Sequence, residues 1–185
     1  MSSEKPFDPP ALAAKIYKTR RKIFGNIREK RAIERYLVST RSRDEFVAFY
    51  NIRLPEPNAD RLYAYLARHM GRQTCPTVVS ALNDIKGFTG TIELSNASKI
   101  IASLDRRKPP YDRKVRGHLD LKHPSGDLKR AREIYALLLQ RMSMLLGQQD
   151  VREALRAFDR KFPHVSGGKI LTKMKKLDLM LWQMP

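Results

Sequence analysis

The chain holds 185 residues with 37 Lys and Arg against 19 Asp and Glu, a formal net charge of +18. That length suits one domain and can hide about 70% of its extended surface, so folding needs no disulfide staples. A single cysteine, Cys75, excludes an internal disulfide framework, a cysteine-built zinc site and a four-cysteine iron–sulfur cluster. No apolar run approaches the ~20 residues that span a bilayer, and residues 1–10 lack the apolar core of a secretory signal. These features predict a soluble protein of a reducing compartment, cytoplasmic or nucleoid-associated, with no membrane partner.

In chain order, residues 1–10, with Pro6, Pro9 and Pro10, read as a flexible tail ahead of a single domain over 11–185. From Ala11 a helical stripe carries Leu12, Ile16, Ile23, Ile27, Ile33 and Leu37, and Gly25-Asn26 is a candidate break into two helices. A short helix is predicted over 44–51. Another follows over 58–70, with Asn58 as its cap and Gly71 as its stop. Pro76 suits the first turn of a helix over 77–86, and a glycine-bearing turn leads to a helix over 95–104. Longer helices are predicted over 127–146 and 151–162, and a last one over 169–182. No segment alternates with period two long enough to be a strand, so the fold class is all-α, with nine or ten helices.

The positive charge is blocked rather than scattered. Residues 15–35 carry net +7, residues 86–116 net +5 and residues 151–185 net +5, whereas 36–60 come to −1. Lys and Arg gathered in this way favour a polyanion, because binding phosphates releases condensed counterions. Nucleic acid, and double-stranded DNA first, is therefore the expected partner. An acidic protein or a membrane surface is the alternative.

The most informative stretch runs from Leu82 to Arg116. It reads as helix, glycine turn (Gly87, Gly90), helix (Ala97-Ser98-Lys99-Ile100-Ile101), proline-led loop (Pro109-Pro110), and an aspartate opening another helix (Tyr111-Asp112-Arg113-Lys114-Val115). Glycines between helices let backbone amides approach a phosphate closely. Asp112 sits among Arg106, Arg107, Lys108, Arg113, Lys114 and Arg116, a setting that favours an ionised carboxylate and an anionic ligand nearby. A plain reading also exists: Asp112 as a helix N-cap and the glycines as a helix stop.

This arrangement resembles the helix-hairpin-helix DNA glycosylases of the endonuclease III superfamily. The hairpin corresponds to Ile85-Lys86-Gly87-Phe88-Thr89-Gly90 within a motif over about 77–104, and the aspartate segment to 109–116. The resemblance implies that fold, a catalytic role for Asp112, and DNA contacts from Lys86, Gly87, Gly90, Lys99, Arg113, Lys114 and Arg116. The basic residues Arg20, Arg21 and Lys22, within 20–35, and the helix over 169–176 extend the expected footprint. The glycines stand three apart rather than two, and Ser95-Asn96 occupy the place of the family's Schiff-base lysine. Lys99 is expected on a different face, so no lyase step is expected, and no cofactor or metal. Three functions follow as expectations: a monofunctional DNA N-glycosylase using Asp112, a non-catalytic helix-hairpin-helix DNA-binding module, or a helical RNA- or ribosome-associated factor.

Overall fold

The structure, a computed structural model, describes residues 7–124, 126–165 and 170–185. The first six residues of the predicted tail, and Lys169 at the start of the expected 169–176 footprint, lie outside the described residues. Ten α-helices are described: α1 (Pro9–Glu29), α2 (Ala32–Val38), α3 (Arg43–Tyr50), α4 (Glu56–Gly71) and α5 (Val78–Thr89), then α6 (Leu94–Leu104), α7 (Arg113–His118), α8 (Leu128–Gly147), α9 (Gln149–Lys161) and α10 (Lys173–Gln183), with one 3-10 turn at Pro163–Val165. There is no strand among the described residues, as the all-α reading expects. None of these helices is long and apolar enough to cross a membrane.

Side-chain caps set most of the starts. Asp8, Ser42, Thr77, Asp112, Asp127 and Thr172 each accept backbone N–H groups of the following turn. This satisfies donors that the helix itself cannot pair. Asp8 lies inside the predicted tail, and helix α1 begins at Pro9, earlier than Ala11. Phe7 already packs on the core and stacks under the Arg141 guanidinium at 4.7 Å.

The expected break at Gly25-Asn26 does not occur. Helix α1 runs through it because Ile23, Phe24 and Ile27 continue the buried stripe, and Asn26 Nδ2 donates to the Gln183 carbonyl on α10 at 3.0 Å. The chain turns at Lys30 and Arg31 instead, where Arg31 takes a left-handed backbone (φ 47°).

Helix α10 is the hub. It packs on α1, α7, α8 and α9, while α5 and α6 form a hairpin set against α8 and α4 respectively. The ring of Phe24 meets Phe158 and Phe162 edge-on at 5.8 and 6.0 Å, and these two are tilted against each other at 4.8 Å, knitting α1 to the end of α9. A second ring cluster, Phe46, Phe49, Tyr50 and Tyr63, joins α3 to α4 and reaches Trp182 on α10. Because α10 is buried around most of its circumference, its Lys175 and Lys176 are core residues. Lys175 donates to Asp178 at 2.7 Å, and Lys176 to Asp159 of α9 at 2.5 Å. The expectation that the 169–176 helix offers these lysines to DNA is therefore corrected: both are buried and paired with carboxylates of the same chain.

Candidate functional site

Asp112 is held from three directions. Its Oδ1 accepts the amides of Lys114 (2.8 Å) and Val115 (2.9 Å), so it caps α7. One residue before it, the Tyr111 amide donates to Ser98 Oγ on α6 at 2.8 Å, and the Tyr111 hydroxyl donates to the Lys122 carbonyl at 2.7 Å. Pro109, Pro110 and Val115 are buried on either side. The cap reading and a pocket-facing role coexist, because a carboxylate pinned through one oxygen still presents its second to the surroundings.

Asp112 lines a cavity of about 450 Å³ between α3, α6, α7 and α10. Asn96 and Lys99 contribute from α6, with Glu93 and Ser95 at that helix's start. Phe49 and Tyr50 end α3, and Lys175, Asp178, Leu179 and Trp182 form the α10 wall. Arg53, Arg113 and Lys114 add exposed cations to the lining. Lys114 is steadied by donating to the Trp182 carbonyl at 3.2 Å. The volume lies in the range of small-ligand sites, and the mix of aromatic walls with a few convergent polar groups is what such sites share.

Lys99 is the main correction to the sequence reading. It is 7% exposed and shares this cavity with Asp112 instead of facing elsewhere. Burial pulls its amine down to about 8, against the opposing charges of Asp112 and Glu93. A buried amine of this kind is not a surface phosphate contact. It is partly neutral near physiological pH and therefore nucleophilic. Burial also hinders ionisation of the Tyr50 hydroxyl, which is hydrogen-bonded to Ser103 Oγ at 3.2 Å. Ser103 gives its one proton to the Lys99 carbonyl, so Tyr50 donates in that pair.

The glycine turn is built otherwise than expected. Gly87 lies within the last turn of α5, where its amide belongs to the helix ladder. Gly90 supplies the left-handed cap (φ 77°), and its N–H is taken by the Lys86 carbonyl at 2.8 Å. The Thr91 amide is taken by Thr89 Oγ1. A phosphate contact through the amides of Gly87 and Gly90 is thus corrected: both are already paired.

The remaining predicted residues are dispersed. Lys86, Arg21 and Lys22 are exposed on α5 and α1, and Arg116 is half-buried on α7. Arg20 lies over the Tyr17 ring at 3.7 Å, in a separate notch with Glu153, Arg156 and Arg160 of α9. The structure brings together Asp112, Lys99, Arg113 and Lys114. It adds Asn96, Arg53, Trp182 and the Lys175–Asp178 pair, which the sequence reading missed as site residues. The available signal was a lysine and an aspartate at i and i+3, followed by the apolar run Leu179-Met180-Leu181-Trp182 of the same helix.

Comparison of the chain with protein-family models, with curated proteins and with solved structures finds no match.

Proposed function

We propose that the protein binds double-stranded DNA and excises a base, with Asp112 as the catalytic carboxylate. The supporting observation is that one cavity joins a capped, positioned carboxylate to aromatic walls and a cationic rim. Cleavage of an N-glycosidic bond develops positive charge on the sugar. A fixed carboxylate stabilises that charge, or activates the attacking water, without reorganising. The target nucleotide must leave the stack to reach such a site, at a cost of a few kcal/mol, which the surrounding cations help to offset through phosphate contacts. The resemblance of 77–116 to helix-hairpin-helix glycosylases agrees with this reading.

The position of Lys99 favours a second reading, in which excision is followed by a lyase step. A neutral Nζ can condense with the aldehyde of an abasic sugar, releasing water and forming an imine, and strand cleavage by elimination then follows. One assay separates these readings. Duplexes carrying alkylated, deaminated or oxidised bases are incubated with the wild type, Asp112→Asn and Lys99→Gln, then resolved with and without alkali. Breaks only after alkali, lost in Asp112→Asn, support a monofunctional glycosylase. Breaks without alkali, lost in Lys99→Gln, support the lyase. Silence across the panel together with salt-sensitive duplex binding leaves a DNA-binding module without chemistry.

A further inference from the structure

Of the three buried lysines among the described residues, two are paired with carboxylates: Lys175 with Asp178 and Lys176 with Asp159. Lys99 is the exception. It is 7% exposed, yet its Nζ makes neither a hydrogen bond nor an ion pair among the described residues. A lysine is almost never buried without a partner, because its charge loses water and gains nothing in exchange.

The amine is nonetheless within reach of a ligand. Two unpartnered side-chain atoms, Asp178 Oδ1 and Gln183 Oε1, are sealed from solvent. Lys99 Nζ is not among them, so it opens on the cavity that its residue lines. Asp112 Oδ2 is likewise unbonded and unsealed there, since the α7 amides take only Oδ1. Asp112 supports the Lys99 ammonium without forming an ion pair with it, which leaves room for a reacting group between the two.

The surroundings set the charge of that group. Arg53, after α3, and Arg113 and Lys114, opening α7, are exposed along the cavity. These cations outnumber Glu93 and Asp112, while Lys175 and Asp178 cancel each other. Glu93 is also occupied, accepting from Thr91 Oγ1 at 2.9 Å and from Asn96 Nδ2 at 3.1 Å. Burial holds the Lys99 amine at about 8, so roughly a tenth of it is neutral at pH ~7. The neutral amine is the form that attacks a carbonyl.

We propose that Lys99 captures a small aldehyde or ketone bearing a carboxylate or phosphate, forming an imine, with the anionic group held by Arg53, Arg113 and Lys114. The nitrogen bonds to the carbonyl carbon, the C–O bond breaks, and the oxygen leaves as water with the amine's two protons. Asp112 Oδ2 carries a proton from the nitrogen to the departing oxygen. This activity goes beyond base excision, because it needs the amine and the cationic rim but no nucleic acid.

Two matched pairs serve as probes: pyruvate with methyl pyruvate, and dihydroxyacetone phosphate with dihydroxyacetone. Within each pair the ketone is the same and the charge differs, so one pair reads a carboxylate and the other a phosphate. Each probe is incubated with the protein and cyanoborohydride at neutral pH, which reduces the imine to a stable amine, and peptide mass spectrometry locates the label. Exposed Lys86 and Lys129 are the internal reference for the protein's overall positive charge. In at least one pair, the charged-to-neutral labelling ratio at Lys99 is expected to exceed theirs by at least about tenfold. In Arg53→Gln/Arg113→Gln/Lys114→Gln, that ratio is expected to fall to theirs, with circular dichroism as the check on folding. The wild-type comparison stands without the variant. Ratios at Lys99 no higher than at the exposed lysines in both pairs, no label on Lys99, or a folded rim variant that keeps the preference would each overturn the proposal. The strand-scission panel is run in parallel. Scission without this capture removes the inference and leaves excision standing, whereas capture without scission removes excision and leaves a site for anionic carbonyl compounds.

Discussion

Lys99, from the middle of α6, and Asp112, from the cap of α7, face the same cavity, and the Asp112 charge supports the Lys99 ammonium. Burial disfavours the Lys99 ammonium and outweighs the support it receives from Asp112 and Glu93. A buried amine whose protonation is moved in this way, beside a positioned carboxylate, is what a proton-handling or nucleophilic site requires.

Lys99 should therefore react as an amine at lower pH than an ordinary lysine. Pulsed reductive methylation with formaldehyde and cyanoborohydride, followed by peptide mass spectrometry, should give Lys99 labelling that rises around pH 8, below the ordinary lysine value of 10.5. In Asp112→Asn the supporting negative charge is gone, so the midpoint should move lower still. The same shift has a stability consequence of defined sign. Folding penalises the charged amine fully below about pH 8, and the penalty fades as pH rises toward 10.5. Relative to Lys99→Met, the wild type should gain stability across that window, by on the order of 3 kcal/mol at most. A rise in labelling only near 10.5, or parallel pH profiles for the two proteins, would contradict this account.

Asp112 combines two roles that substitution can separate. Asn is as good an N-cap as Asp, so Asp112→Asn should melt within a degree or two of the wild type while losing excision by orders of magnitude. Asp112→Ala should lose the same activity and, in addition, about 1 kcal/mol of stability as the Lys114 and Val115 amides lose their acceptor. Thermal melts paired with the scission assay check both arms. An Asn variant that excises normally would leave Asp112 as a cap alone.

The buried Lys175–Asp178 pair predicts strong non-additivity. Burial raises the Asp178 carboxyl against the lowering effect of Lys175, while Lys175, disfavoured by burial, is held above the ordinary lysine range by Asp178. Removing one partner strands the other's charge in the interior. Lys175→Met or Asp178→Leu alone should then cost about 3–5 kcal/mol. The double substitution should cost far less than the sum, because no unpaired charge remains. Urea denaturation of the four proteins closes the cycle. Additive losses would mean that the pair is not coupled as the 2.7 Å contact implies.

The sequence made the helices legible because apolar periodicity and capping residues are local properties. It placed Asp112 correctly at a helix start for the same reason. What it missed is tertiary. Nothing near Arg31 marks a left-handed turn, since no glycine stands there, and Gly25-Asn26 stays helical because Gln183, far along the chain, accepts from Asn26. Lys99 reads as a solvated charge until α6 proves buried from Asn96 through Ala102, with Lys99 on the cavity wall. Lys176 reads as a phosphate contact because Asp159, its partner, lies on another helix. Charge blocks in a sequence locate cations without showing which of them the fold consumes internally.

That distinction makes the DNA footprint testable by salt dependence. Arg113 and Lys114 are exposed at the cavity, and Arg116 is half-buried on the same short helix. Replacing the three with Ala should lower the steepness of log affinity against log salt by about 0.9 for each duplex phosphate that is no longer neutralised. The pair Lys175→Met/Asp178→Leu keeps the net charge and removes only internal groups, so its slope should match the wild type. The notch of Arg20, Arg156 and Arg160 supplies the contrast. If the footprint reaches across α1 and α9, alanine at these three should flatten the slope as well. If the duplex is held only at the cavity, affinity should fall little and the slope should stay. Filter-binding titrations from about 50 to about 300 mM salt would separate these cases, and unchanged slopes in both triple variants would remove duplex DNA as the partner.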